Sequence, residues 1–249
     1  MKRDYEQMFA EASARFDRQR ARGVELYGWN PACLCHMCGD TGIVPDTQKP
    51  CVVCDEGKRV SWMRERDAAW RSDREIAHHR DCKIDTHPSP DAQEIGHEWL
   101  ENGYGKLGGL LLLGNTGTGK TGLAVALGYE LHMRGVVVMF TGASRMLDEL
   151  RPGVNRDPAA QMRNVLNTGL LIIDDLGAEK LTEFTAERIY AIVDGRYTAN
   201  VPTIITTNLD LEKLQAQVGD RVMSRMAETF AIRKIGGPDI RKQRLAGVA

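Results

Sequence analysis

The chain has 249 residues, a hydrophobic fraction of 42%, a charged fraction of 27% and a formal net charge of -1. That length suits one main domain with an appendage, and the charge balance excludes both a wholly basic nucleic-acid coat and a highly charged disordered chain. No apolar run approaches the roughly 20 residues that span a bilayer. The stretch from Met1 to Phe16 lacks the apolar core of a secretory signal, so a soluble, cytoplasmic protein with no membrane partner is expected.

Residues 2–22 read as a helix, because Tyr5, Met8, Phe9, Ala12 and Phe16 form an apolar stripe at helical spacing. Five of the six cysteines follow in one short stretch, as Cys33, then Cys35-x-x-Cys38, then Cys51-x-x-Cys54. A secreted disulfide scaffold spreads its cysteines through the fold. Two CxxC pairs flanking a loop instead give each pair a tight knuckle, aiming four thiolates at one tetrahedral zinc ion. Cys35, Cys38, Cys51 and Cys54 are therefore the expected Zn2+ ligands, with Cys33 and His36 as alternatives. Four thiolates leave no open position for water, so this zinc is structural, and it supplies folding energy to a segment too small for its own core.

Residues 58–82 are crowded with charges of both signs, and Trp62 and Trp70 are their main apolar anchors. The expectation is a solvated connecting helix. His87-Pro-Ser-Pro-Asp91 breaks the pattern, and Ser89 or Asp91 can cap a new helix. The chain thus divides into an N-terminal zinc-binding segment over 1–58, a charged linker helix over 59–88 and a main domain over 89–249. In that domain apolar strands alternate with helical stretches. Strands are expected at Leu110–Leu113, Val136–Phe140, Gly169–Asp174, Thr203–Thr207 and Phe230–Ile235, and helices at 120–134, 143–150, 182–199 and 220–227. Continuous apolar strands separated by helices imply an α/β fold whose five-stranded parallel sheet is covered on both faces.

The chemistry lies at the strand ends. Gly114-Asn115-Thr116-Gly117-Thr118-Gly119-Lys120-Thr121 matches GxxxxGK[ST] in full, after a strand and at the start of a helix. Its glycines let backbone N–H groups surround phosphate oxygens, Lys120 reaches the β- and γ-phosphates of ATP, and Thr121 offers its hydroxyl to Mg2+. The strand Leu170–Asp174 ends in two adjacent acids, which are costly there unless they serve a cation or polarise water. Asp174 fits the Mg2+ role and Asp175 the residue that activates the attacking water. Thr206-Thr207-Asn208 closes the next strand, where Asn208 can bridge that water and the γ-phosphate or equally cap a turn. Farther on, Arg221 and Arg225 stand four apart on one helical face.

These motifs in order, GNTGTGKT, LLIIDDLG, the strand ending TTN, and GDRVMSRM, resemble the AAA+ helicase loaders of the DnaC/DnaI type, with the IstB transposition ATPases as close relatives. The resemblance runs from about Gly103 to Arg241, and the cysteine pairs resemble the N-terminal zinc domain of DnaI-type loaders. It implies an AAA+ P-loop ATPase without a helical lid. Lys120 and Thr121 take the Walker A positions, Asp174 and Asp175 Walker B, and Asn208 sensor 1. Arg221 matches the arginine finger and Arg225 a second arginine of that motif. Arg241 falls at sensor 2, after Ile240 where the family usually has an aromatic. The implied function is ATP-dependent delivery of a DnaB-type replicative helicase onto single-stranded DNA, by copies that self-associate through their ATP sites. The alternative is an IstB-like transposition helper. Arg145, Arg151, Arg156 and Arg163 offer a positive surface for DNA, and they read equally well as solvating charge.

Overall fold

The computed structural model describes residues 43–44, 49–50, 55–103, 109–154, 157–177 and 182–245. The helix expected over 2–22 and the four cysteines expected to hold zinc lie outside these residues. Two short strands, β1 (Ile43–Val44) and β2 (Lys49–Pro50), pair antiparallel, with Ile43 opposite Pro50.

Helix α1 (Asp55–Ser72) covers only the first part of the charged linker helix expected over 59–88, turns and bends follow from Asp73 on, and one side of the helix is not solvated. It packs against α3 (Lys120–Met133), the helix that opens at the phosphate loop. Trp70 and Ile76 are buried with Val125, flanked by Tyr129, Val138 and Phe140. Burying the two large side chains contributes roughly 2 kcal/mol each. Polar bonds fix the register. Arg66 donates from Nε to the His132 carbonyl at 2.5 Å and from Nη2 to His132 Nδ1 at 3.1 Å, and Tyr129 donates its hydroxyl to Asp67 at 2.9 Å. The charges that suggested a solvent-facing linker are in part the attachment itself.

After α1 the chain forms α2 (Pro90–Glu98), with Ser89 at its N-cap and Pro90 in its first turn, and one π turn (Trp99–Gly103). Five parallel strands then form the sheet: β3 (Gly109–Leu113), β4 (Val138–Gly142), β5 (Leu170–Asp174), β6 (Thr203–Thr207) and β7 (Phe230–Lys234). Their spatial order is β4-β5-β6-β3-β7. Successive side chains alternate between the faces. Leu110, Leu112, Leu170, Ile172 and Ile204 meet Leu123, Leu127 and Leu131 of α3 on one face. Leu111, Leu113, Leu171, Ile173 and Ile205 point to the other. There they meet α4 (Ala143–Glu149), α5 (Pro158–Asn167), α6 (Glu183–Thr198), α7 (Leu211–Val218) and α8 (Asp220–Thr229). A last helix, α9 (Ile240–Leu245), follows β7.

Strand β4 begins two residues later than expected, for a local reason. Gly135 takes φ +97° and donates to the His132 carbonyl, while Val136 donates to the Leu131 carbonyl. That pair of bonds is a Schellman termination, so Val136 belongs to the end of α3. Helices α5 and α7 add to the expected set. Each starts at an aspartate, Asp157 accepting from the Ala160 N–H and Asp210 from the Lys213 N–H. Between α6 and the sheet, Arg196 is 1% exposed and donates to the carbonyls of Val165, Thr168 and Pro202 and to the Thr203 hydroxyl. It ties the last turn of α5 to the entry of β6.

The attachment of α1 is expected to be sensitive to acid. His132 accepts from Arg66 at Nδ1 and pairs through Nε2 with the Arg66 carbonyl at 3.0 Å, so it is held neutral. Burial, and then the Arg66 charge, lower its pKa below the ordinary value. The unfolded chain therefore binds that proton more readily. The contribution of His132 is complete above a pH of about 6.5 and is lost as pH falls through the lowered folded-state value. Denaturant unfolding at pH 7.5 and pH 5.5 should show a larger loss of stability for the wild type than for His132→Gln; equal losses would contradict the clamp.

Candidate nucleotide site

The site forms where the C-terminal ends of β3, β5 and β6 meet. Register places Leu113, the last residue before the phosphate loop, opposite Thr207 of β6. Strand β6 lies between β3 and β5, so the chain leaving it carries Asn208 between the loop and the two acids. The loop has the backbone its sequence demands, with Gly117 at φ +82° and Gly119 at φ +95°. L side chains rarely adopt these angles.

Lys120 is 6% exposed. Its ammonium donates to the carbonyls of Gly114 and Asn115, each at 2.8 Å, and to Asn208 Oδ1 at 2.7 Å. Burial pushes its pKa down from the ordinary lysine value, Asp175 and Asp174 push it back up, and Arg241 lowers it again. The other end of the Asn208 amide donates to Asp175 Oδ1 at 2.5 Å. Only one orientation of that amide satisfies both partners, because an ammonium cannot accept and a carboxylate cannot donate.

Asp174 forms the second half. Its Oδ1 accepts from the Thr121 hydroxyl at 2.8 Å and the Thr206 hydroxyl at 2.7 Å. Thr206 also accepts from the Asp175 N–H at 2.9 Å. Asp175 itself sits at φ +58°, a region that aspartate tolerates better than most residues. A hydroxyl and a carboxylate oxygen side by side are hard oxygen donors of the kind Mg2+ takes, directly or through its own waters, so Thr121 and Asp174 fit that ion.

Lys120, Thr121, Asp174, Asp175 and Asn208 are thus brought together. Arg241 joins them at the edge. The Ile240 N–H donates to the Gly117 carbonyl at 2.9 Å, Arg241 is exposed, and its charge reaches Lys120. Neither Arg221 nor Arg225 bonds to this cluster. Arg221 is exposed on α8 and forms no ion pair among the described residues. Arg225 pairs with Asp194 of α6 at 2.9 Å and stacks over Tyr197 at 5.0 Å. The arginines read either as a positive surface for DNA or as solvating charge are exposed and carry acidic neighbours. Arg145 is bound to Glu149 and Glu75, Arg151 lies 3.3 Å from Asp148, and Arg163 lies 3.9 Å from Asp157. Arg156 is outside the described residues. Among the described residues no group of three His, Cys, Asp or Glu side chains could hold a metal, and Cys35, Cys38, Cys51 and Cys54 fall elsewhere.

Two residues of the site have no announced role in the sequence. Thr206 lies beside Asn208, but nothing in its spacing shows that its hydroxyl fixes both acids. His87 reaches the Gly119 carbonyl at 3.0 Å from 32 residues upstream, and no motif links the two. Replacing Thr206 by valine keeps its volume and removes both bonds. We expect Thr206→Val to lose about 1–3 kcal/mol of unfolding free energy in urea titrations. Wild-type stability in that variant would show that the acids do not depend on it.

The profile of the family described as IstB-like ATP binding protein matches residues 100–243, more than half of the chain. The replicative helicase loader DnaC of Escherichia coli K12 is 26% identical over 156 residues, covering 59% of this chain and 64% of the loader. An ATP-binding protein of an insertion sequence from Geobacillus stearothermophilus is 29% identical over 138 residues, covering 55% of each chain. The chain therefore spans less than two thirds of the length of these relatives. Among solved structures, a crystal structure of the DnaC helicase loader superposes with a TM-score of 0.57 at 28% identity, over 64% of this chain and 99% of that one. The five-stranded parallel sheet is that of a DnaC-type AAA+ P-loop fold, and the chain belongs to the IstB-like ATP-binding family.

Proposed function

We propose that this protein is an ATP-driven loader that delivers a DnaB-type replicative helicase onto single-stranded DNA. The observation that carries the ATPase reading is the Asn208 amide, which spans the Lys120 ammonium and the Asp175 carboxylate. Similarity to DnaC supports the loader role. A γ-phosphate draws the Lys120 ammonium from the amide and loop carbonyls. Asn208 and Asp175 are then free to hold a water in line with that phosphate. Asp175 accepts the water's proton as its oxygen attacks, and the bond to the β-phosphate bridging oxygen breaks to leave ADP and phosphate. Thr121 and Asp174 would hold Mg2+, which offsets phosphate charge. Arg221 is exposed and reaches the γ-phosphate of a neighbouring copy. Arg225 holds the Arg221-bearing helix to α6, and Arg241 completes the phosphate contacts from α9.

The N-terminal unit, over about residues 1–58, binds the helicase and is folded by Zn2+ on Cys35, Cys38, Cys51 and Cys54. The doubled CxxC spacing supports this, as does the chain reversal at β1–β2 between the two pairs. A transposition helper is the second reading, favoured by the insertion-sequence relative. The cysteine pairs favour the loader.

Three outcomes are expected. Asp175→Asn slows ATP hydrolysis by about 100-fold or more while ATP still binds; hydrolysis at the wild-type rate removes the proposed base. Metal analysis of chelator-free protein gives about one zinc per chain, and reduced, folded protein without metal removes the zinc site. The full chain with ATP co-elutes with a replicative helicase in size-exclusion chromatography. Capture of a transposase and no helicase would favour the second reading.

A further inference from the structure

We infer that His87 is a positioning residue for the phosphate loop, holding the Gly119–Lys120 peptide so that the Lys120 N–H faces the phosphates. The inference rests on the nucleotide-binding reading of that loop. His87 is 4% exposed, and the chemistry assigned to the site so far does not use it. It belongs to the segment that joins α1 to α2. Its backbone is held on both sides, the N–H donating to the Ile84 carbonyl at 3.1 Å and the carbonyl accepting from Gln93 Nε2 at 2.7 Å.

The tautomer follows from the neighbours. Nδ1 accepts from the Ser89 N–H at 3.1 Å, so it carries no proton. The proton is on Nε2, which donates to the Gly119 carbonyl at 3.0 Å. That carbonyl also accepts from the Leu123 N–H at 3.0 Å, the opening bond of α3. Both of its lone pairs are therefore used. In a trans peptide the carbonyl and the next N–H point in opposite directions. Two donors on the Gly119 oxygen thus turn the Lys120 N–H the other way, as a donor fixed before the anion arrives.

The ring also fills the space that a side chain at Gly119 would need. A Cβ there would lie 2.5 Å from His87 Cε1 and 2.7 Å from Nε2. Gly119 is thereby required for its φ of +95° and for the contact with the imidazole. The same upstream segment brings Cys82 Sγ against Gly122, so it supports the first turn of α3 at two points. Because α1 grips the far end of that helix through Arg66 and Asp67, residues 66–87 embrace α3 from the phosphate-loop end to the opposite end.

The test uses the full chain and titrates MgADP calorimetrically. His87→Leu keeps apolar volume and removes the donor, and should weaken binding about tenfold. His87→Gln places an amide Nε2 near the imidazole position, and should restore affinity to within about threefold of wild type. Unchanged affinity in His87→Leu overturns the inference. Equal weakening in both variants also overturns it, since the ring would then serve only as filling. A wild type that binds no MgADP overturns the nucleotide reading and this inference with it. Should His87→Leu fail to fold, long-range proton–nitrogen correlation on the wild type decides. A neutral imidazole protonated at Nε2 at pH 7.5 supports the inference, and one protonated at Nδ1 contradicts it.

Discussion

A lysine ammonium nearly withdrawn from water must be matched by oxygens, and the site is arranged around that requirement at Lys120. A buried charge without partners would cost several kcal/mol. Two loop carbonyls and the Asn208 oxygen meet the need, with the charges of Asp174 and Asp175 close by. These partners are replaceable by phosphate oxygens, which carry more charge. The site therefore holds the lysine in a state that a triphosphate can displace. On the proposed function, the same displacement would release the Asn208 amide and the Asp175 carboxylate for hydrolysis.

The fold makes this possible through strand order. With β6 between β3 and β5, the end of β6 lies between the phosphate loop and the acids, and one amide can touch both. Thr206, two residues before Asn208, donates to Asp174 and accepts from the Asp175 N–H, and its neighbour Thr207 donates to the Leu176 carbonyl at 2.6 Å to hold the turn after β5. Helix α3 then runs from the phosphate loop to its own His132, which is clamped by Arg66 of α1. α1 follows directly on the second cysteine pair in the chain. The helix that opens at the phosphate loop is thus packed against the helix that follows the cysteine pairs in the chain.

Much of the site was legible because its residues sit at strand ends in short contiguous motifs. Lys120, Thr121, Asp174, Asp175 and Asn208 each follow an apolar strand, and parallel-sheet topology carries such ends to one edge. What escaped had no contiguous signal. His87 acts across 32 residues through a backbone carbonyl. The docking of α1 depends on polar groups, Arg66, Asp67 and Tyr129, whose pairing is invisible to hydrophobic periodicity. Other boundaries do carry local signals in the chain. Asp157-Pro158 marks the start of α5, and Gly135 marks a helix end that takes Val136 out of β4. The arginines of α4 and its surroundings show the opposite lesson. Arg145 pairs with Glu149 one turn away and also with Glu75, 70 residues upstream, a partner that the order of the chain does not reveal.

The displacement at Lys120 is tested most directly by following the Asn208 side-chain amide by NMR in selectively nitrogen-labelled protein. The central claim expects a non-hydrolysable ATP analogue with Mg2+ to move that resonance, as the ammonium leaves Oδ1 for the phosphates. An Asn208 amide signal that is unchanged at saturating analogue would contradict it.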